Sequence, residues 1–141
     1  MRESGFIICC CTLVVACRHE ADEVVPPHPY AGTYVGLYAE DEWTPSASWD
    51  TSFLYSVIVS PFGTGSNQVT LTSSEFVGDY ELDNTGYYYY NFGGMGGGGW
   101  RSCRFLLNSD PDSLILVYHG FSSLPWNQYS RDKTFRGRRI N

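Results

Sequence analysis

The sequence has little positive charge, and this shortage excludes one class of partner. Its 141 residues include 9 Lys and Arg against 15 Asp and Glu, which gives a formal net charge of −6. Nonspecific binding to nucleic acid needs a positive surface that displaces counterions from the phosphates. The charge balance therefore argues against a nucleic-acid partner.

Runs long enough to span a membrane and convergent metal ligands are also missing. The apolar run GFIICCCTLVVA, from Gly5 to Ala16, is shorter than the roughly 20 residues that a membrane-spanning helix needs. Cys9, Cys10 and Cys11 are consecutive and have no second ligand cluster downstream, whereas the thiolates of a metal site must converge on one ion. We therefore predict neither a spanning helix nor a metal site, and we expect no cofactor.

Groups that perform catalysis are scarce in the part of the chain expected to fold. Beyond residue 29 there is one histidine, His119, and one cysteine, Cys103, so a Cys/His pair across a hairpin is conceivable. If the strands flanking NSDPDS pair so that Cys103 lies opposite Val117, the thiol shares a buried face with Phe105 and is inert. We predict that the protein is not an enzyme.

Aromatic and apolar residues are abundant, and they alternate over short distances. No segment has a convincing helical period. Segments with period two or short apolar runs, bounded by turn residues, occur at 32–38, 52–60, 67–73, 76–82, 87–92, 101–107, 113–119 and 133–140. PFGTGS, DNTG, GGMGGGG and NSDPDS between them have turn or loop chemistry. The pattern predicts one all-β domain, an antiparallel meander of about eight strands closed into a barrel or a flattened sandwich.

Two predicted strands are apolar on both faces, and one predicted loop is a run of glycines. The segments 52–60 and 113–119 are apolar on both faces, which favours a central position or a place beneath a second layer. The glycine run Gly93–Gly99 formally contains G-x-G-x-x-G, but a phosphate-binding loop has to open a helix, and here Trp100 and Arg101 lead into a strand. We predict a mobile hairpin connection over these glycines.

The end of the first apolar run carries a recognisable motif. Leu13, Val14, Val15, Ala16 and Cys17 resemble the lipobox of bacterial lipoproteins. The resemblance implies a signal peptide over 1–16 in which Val14, Val15 and Ala16 are recognised for cleavage, and it implies acyl chains on Cys17. Such chains hold a soluble domain on a membrane, since each buried methylene contributes about 0.8 kcal/mol. The alternative is a secretory signal that stays uncleaved or is processed differently.

The residues after Cys17 are polar and rich in proline. They predict a lipid-anchored tether over 17–29 in which His19 and His28 are solvated. The acidic residues Glu20, Asp22 and Glu23 are similar to the export signal of some Bacteroidetes lipoproteins. This similarity implies a location in the bacterial cell envelope, at the outer membrane.

A second resemblance covers nearly all of the remaining chain. The opening YAGTYVG at 30–36 and the closing FRGRRI at 135–140 look like small Bacteroidetes lipoproteins with a lipocalin-like β-barrel. The resemblance implies a lipocalin-like barrel domain over 30–141, in a group whose members mostly lack an assigned activity. It carries no binding residue over to this chain.

Exposed aromatic side chains are the candidate binding residues. Period two sends two of the four consecutive tyrosines at 87–90 to each face of their strand, and the tryptophans lie in or next to predicted loops. An aromatic platform of this kind suits a glycan, another small apolar ligand or a protein partner, although the tyrosines are equally suited to filling the barrel. The candidate residues are Trp43, Trp49, Tyr88, Tyr90, Trp100 and Trp126.

Charged residues cluster in two places. Glu40, Asp41 and Glu42 predict an acidic loop, either simply solvated or able to bind calcium weakly. Five cations fall near the end of the chain, and they either dock the domain on anionic headgroups or an acidic glycan or protect a terminal edge strand from aggregation. These are Arg131, Lys133, Arg136, Arg138 and Arg139.

Three functions remain open at this point. The first, and the one we favour, is a non-catalytic binding or structural module of the cell envelope, which predicts a cavity or an aromatic patch. The second is an inhibitor or accessory subunit that acts through its loops, which predicts a solidly filled barrel. The third, a small hydrolase, requires His119 to meet a carboxylate or Cys103 in a cleft.

Overall fold

A computed structural model describes residues 28–105 and 112–140. These residues form eight strands, and none of them forms a helix long and apolar enough to cross a membrane. The strands are β1 Gly32–Thr44, β2 Ala47–Pro61, β3 Gln68–Thr72, β4 Gly78–Glu81, β5 Tyr87–Gly94, β6 Gly97–Phe105, β7 Ser113–Leu124 and β8 Asn127–Ile140. The predicted signal peptide, including Val14, Val15, Ala16 and the lipid-attachment residue Cys17, lies outside the described residues.

All neighbouring strands pair antiparallel in one sheet, in the order β4-β3-β2-β1-β8-β7-β6-β5. Because β1 pairs with both β2 and β8, the first and last strands join and the sheet curves into a nearly closed barrel. The seam lies between β4 and β5, where the rings of Tyr80 and Tyr88 meet with their centroids 4.9 Å apart. The predicted all-β antiparallel meander of eight strands is confirmed.

Several strands extend further than the alternation of apolar residues indicated. The predicted acidic loop at 40–42 lies inside β1, which continues to a tight turn at Pro45 and Ser46. Glu40 and Glu42 share the inner face with Tyr38, while Asp41 points outward. The strand continues through these charges because the inward carboxylates have cationic partners on β8, and that pairing was not visible in the local sequence.

The glycine run is also strand rather than loop. Gly93 pairs with Gly98 and Gly94 with Gly97, so only Met95 and Gly96 form the turn. Gly96 has φ +89°, in the left-handed region that favours glycine. β6 is further paired with β7 along its whole length, and these hydrogen bonds supply the order that the glycines themselves lack. The predicted hairpin connection is confirmed, but its turn is only two residues long, and the other glycines of the run belong to the strands.

The core fills one end of the barrel. It consists of inward-facing apolar side chains from most strands, together with residues of the connecting segments: Tyr30, Tyr34, Tyr38, Val57, Val59, Val69, Leu71, Phe76, Tyr80, Leu82, Cys103, Phe105, Leu114, Leu116 and Phe135. Cys103 lies opposite Leu116, one residue away from the predicted pairing with Val117. The one-residue difference makes Leu116, and not Val117, the fully buried neighbour of Cys103.

Of the two environments predicted for 52–60, β2 has the central position, between β1 and β3, and its outer face has no covering layer within the described residues. Leu54 is 80% exposed and Ile58 is also exposed, and no second layer covers them within the described residues. β3 pairs with β2 only from Ile58 to Pro61. The apolar residues on both faces of 52–60 therefore do not mark a doubly covered strand.

His28 was predicted to be a solvated tether residue, and the structure places it against the barrel. Its ring centroid lies 5.8 Å from that of Tyr30, and its Nδ1 accepts a hydrogen bond from the Tyr30 amide at 3.4 Å. The side chain is partly buried. His28 is thus part of the packing around Tyr30.

The buried tyrosines predict how stability responds to alkali. Tyr34 is fully buried and its hydroxyl donates a hydrogen bond to the Tyr30 carbonyl at 3.0 Å. Burial raises the pKa of Tyr34 to about 12, although the charge of Arg139 opposes the shift. An unfolded tyrosine ionises near pH 10, so this contribution is complete below that pH and is lost as the pH rises toward 12.

We expect the free energy of unfolding to fall by about 2 kcal/mol between pH 10 and pH 12 through Tyr34 alone. Urea unfolding at a series of pH values measures it. We expect the unfolding free energy of a Tyr34→Phe variant to depend less steeply on pH between pH 10 and pH 12 than that of the parent. Tyr89→Phe, at an exposed outer position, is expected to keep the pH dependence of the parent. An unchanged slope in Tyr34→Phe would contradict the assignment.

Candidate ligand-binding cavity

Above the core, the inner face of the barrel becomes charged. On β1 and β8, Glu42 contacts the Arg131 guanidinium and Glu40 lies 3.3 Å from the same side chain. The Tyr38 hydroxyl donates to Glu40 at 2.7 Å, and burial together with this carboxylate raises the pKa of Tyr38. The Glu42 carboxylate is thus compensated although it is buried, as a charge away from water requires.

The same network holds the loop between β3 and β4 inside the barrel. Lys133 on β8 donates to Glu75 at 2.5 Å, and the Glu75 amide donates to the Tyr55 hydroxyl at 2.9 Å. Phe76 is buried against Tyr38, with ring centroids 6.1 Å apart. We call residues 73–77 the inner loop, because its Glu75 and Phe76 side chains contact residues on the inner face of the barrel.

A cavity of about 440 Å³ remains between the inner loop and strands β4 to β7. A volume of this size suits a small ligand, since pockets for such ligands span about 300–1,000 Å³. It is lined by Glu75, Phe76, Val77, Tyr80, Tyr90, Phe92, Arg101, Ser102, Val117 and Tyr118.

One wall of the cavity is made of stacked rings. Tyr90 and Phe92 on β5 stack at 6.2 Å with 19° between their planes, and Phe92 stacks on Tyr118 of β7 at 5.9 Å and 26°. Gly99 lies opposite Phe92 on β6 and adds no side chain between the rings. The wall therefore presents a row of nearly parallel aromatic rings from β5 and β7, with Gly99 of β6 between the two strands.

Arg101 supplies positive charge to this cavity. Its guanidinium carbon lies 5.2 Å from the ring centroid of Tyr80, 5.8 Å from that of Tyr88 and 5.5 Å from that of Tyr90. These are cation–π distances. Burial raises the pKa of Tyr80 to about 12 against the opposing charge of Arg101, so the Tyr80 phenol stays neutral at physiological pH and the ring face remains available to the cation.

Scans against protein-family models and against curated proteins find no match to this chain. The chemistry of the cavity therefore rests on its own side chains. Aromatic walls with one convergent charged group are typical of sites for small molecules. Such a site can bind an apolar or planar compound and orient it through Arg101.

The sequence-predicted candidates are not brought together in one platform. Tyr88 and Tyr90 face inward, and both contact Arg101 as described above. Trp49 is on the same inner face, opposite Glu42, but it does not line the cavity. The alternation of the four tyrosines was predicted correctly, since Tyr87 and Tyr89 are on the outer face.

The other three tryptophans lie elsewhere. Trp43 is exposed on the outer face of β1, and Trp126 is 80% exposed in the turn between β7 and β8. Trp100 lies within β6 rather than in or next to a loop, and it stacks on Tyr89 with ring centroids 6.0 Å apart. A single aromatic surface made of all six residues is thus excluded by the fold.

The titratable groups considered for catalysis lie on opposite faces of the barrel. His119 is on the outer face of β7, where its Nδ1 lies 2.7 Å from Asp132 and its ring stacks on Trp100. Cys103 is fully buried inside, and burial strongly raises the pKa of its thiol. Within the two described ranges, no three His, Cys, Asp or Glu side chains are grouped to hold a metal ion.

The terminal cations also differ from their prediction. β8 lies between β1 and β7, so it is not an edge strand and its charges do not protect an edge. Arg131 and Lys133 point inward to Glu42 and Glu75, and Arg139 donates to Asp112 at 2.6 Å. These three side chains organise the interior and one end of the barrel.

Sequence reasoning missed Arg101, Phe92 and Tyr118 as site residues, although a signal for two of them was present. Arg101 is two residues before Cys103, and Tyr118 is two residues after Leu116, so each shares the face of a core residue. A charged side chain at an inward position requires compensation. That requirement marks Arg101 as a candidate.

Proposed function

We propose that the protein is a non-catalytic binding module that holds a small ligand with an apolar or aromatic body in the cavity beneath its inner loop. One observation carries the proposal, namely the 440 Å³ cavity with a wall of stacked rings and one guanidinium. The barrel supplies rigid strands for every group of the wall except the inner loop. Rigid placement reduces the ordering cost of binding.

An accessory subunit that acts through its loops is the second candidate. Met95 is fully exposed in one hairpin turn and Trp126 is highly exposed in another, and exposed apolar tips of this kind suit a protein partner. This candidate, however, predicts a solidly filled barrel. The cavity favours the first proposal.

We propose further that the module is attached to a bacterial cell envelope through acyl chains on Cys17, because the segment from Leu13 to Cys17 resembles the lipobox of bacterial lipoproteins. Intact-mass analysis of protein purified from membranes, beside a Cys17→Ala variant, tests this attachment. We expect a chain that begins at residue 17 with added acyl mass, and we expect this form to be absent in the variant. A chain that retains residues 1–16, or one without acyl mass, would rule out the lipoprotein assignment.

Binding in the cavity is tested with N-phenyl-1-naphthylamine, an uncharged aromatic compound whose fluorescence increases in apolar surroundings. We expect saturable binding to the full chain. Tyr90→Ala removes one ring of the cavity wall and is expected to weaken binding about fivefold to tenfold, since an aromatic contact contributes about 1 kcal/mol beyond its buried area.

Tyr89→Ala is the matched control, because Tyr89 is the next residue of the same strand and is about as exposed as Tyr90, but it points to the outer face. We expect this variant to bind as tightly as the parent. Absence of saturable binding, or an equal loss in the two variants, would contradict the proposed site.

A further inference from the structure

Arg101 differs from the other inward-facing cations because it has no acidic partner among the residues that the structure describes. Arg131, Lys133 and Arg139 each form an ion pair with a carboxylate. None of the ion pairs formed within the described part of the chain includes Arg101. Its charge is met mainly by the faces of three tyrosine rings.

The hydrogen bonds of Arg101 are also incomplete. A guanidinium has five N–H donors, and ring faces attract the charge without replacing oxygen acceptors. Nη2 has one long contact, 3.5 Å to the Tyr88 hydroxyl. Nε is buried and has no acceptor among the described residues. A buried donor without an acceptor is unfavourable, so the site retains capacity for an oxygen-bearing group.

The nearest carboxylate of the cavity does not meet this need. Glu75 lines the same cavity, but its side chain is engaged by Lys133 at 2.5 Å, which holds it toward β8. Within the described residues, the cavity therefore contains one compensated acid, Glu75, and one cation without an acidic partner, Arg101. In a partly desolvated site, a guanidinium favours carboxylate, sulfonate or phosphate oxygens, which it binds with two parallel hydrogen bonds.

We infer that the cavity selects small planar molecules that carry an anionic group, with Arg101 as the anchor of that group and the stacked rings of Tyr90, Phe92 and Tyr118 as the wall for the planar body. This inference rests on the proposed binding function. It adds that the ligand is anionic and that Arg101 binds its anionic group.

Two matched fluorescent compounds test the inference. N-phenyl-1-naphthylamine is neutral, and 8-anilinonaphthalene-1-sulfonate has the same aromatic framework with an added sulfonate. We expect Arg101→Met to bind the sulfonate at least about tenfold more weakly than the parent, a loss several-fold larger than its loss of the neutral compound. Arg101→Lys keeps the charge without the planar fork. We expect its affinity for the sulfonate to lie between that of the parent and that of Arg101→Met.

Salt dependence provides a second measurement on the unaltered protein, so the test does not depend on the folding of the variants. Binding of the sulfonate is expected to weaken several-fold between about 20 mM and 500 mM sodium chloride because screening reduces the attraction, while binding of the neutral compound stays level. Sulfonate binding that is insensitive both to salt and to Arg101→Met would overturn the inference.

The two proposals fail in different ways. If the parent binds neither compound, the cavity is not a binding site and both proposals are wrong. If the parent binds the neutral compound and Arg101→Met loses both compounds equally, Arg101 only supports the fold, and the inference about charge is wrong while the binding function stands.

Discussion

A Phe135→Ala variant is expected to lose about 3–5 kcal/mol of unfolding free energy, the range for removal of a buried phenylalanine side chain. Phe135 is fully buried on β8, where it lies opposite Tyr38 on β1 and Leu116 on β7. Its ring also meets Tyr55 edge-on, with centroids 6.1 Å apart. Removal of the ring leaves a void where three strands meet, and rigid neighbouring strands cannot collapse to fill it.

Urea unfolding followed by circular dichroism measures this loss. Phe121→Ala is the control, since Phe121 is on the outer face of β7 and is 43% exposed, and we expect it to cost about 1 kcal/mol or less. A domain of this size has a stability of about 5–15 kcal/mol, so the Phe135 variant is expected to be visibly less cooperative or partly unfolded at 37 °C. Equal losses in the two variants would mean that the barrel interior is wrongly assigned.

Gly99→Ala is expected to cost about 3 kcal/mol, at the upper end for overpacking. Gly99 is buried on β6 opposite Gly120, and a Cβ built on it would overlap the carbonyl oxygen of His119 and crowd the Gly120 Cα. Backbone atoms cannot move aside as a flexible side chain does. The two strands would therefore have to separate, with loss of hydrogen bonds beside the cavity.

The same glycine run contains the control. A Cβ on Gly94 would meet nothing within 4 Å, so we expect Gly94→Ala to leave the unfolding free energy unchanged or to raise it by about 0.5 kcal/mol through the less flexible unfolded chain. The same urea experiment compares both variants. If Gly99→Ala is as stable as Gly94→Ala, the glycine run is a tolerant loop and the pairing of β5, β6 and β7 is wrong.

The fold class was predictable because alternation of side chains is a local property. Val69 and Leu71 alternate with polar residues, and so do Cys103 and Phe105, so the strands and their inner faces could be assigned before any pairing was known. The ends of the strands could not be predicted from this alternation. Glu40 and Glu42 look like loop residues until Arg131, far along the chain, is placed opposite them.

Register and site needed information from distant segments. The pairing of β6 with β7 depends on the connection between them, and a difference of one residue decides whether Leu116 or Val117 lies opposite Cys103. The cavity is assembled from the inner loop and four strands. Arg101 could be placed inward from the position of Cys103, and Tyr90 is its partner in the β5–β6 hairpin, but its neighbour Tyr80 on β4 follows only from the closure of the barrel.

The central claim is that ligands bind inside the barrel, and chemical-shift mapping tests it most directly. Amide spectra of the isotope-labelled protein are recorded while N-phenyl-1-naphthylamine is added. We predict that the largest shifts occur at Phe76, Arg101 and Tyr118, around the cavity. Shifts concentrated instead at Trp100 and Phe121, on the outer face, would contradict the account and would assign binding to the external aromatic surface.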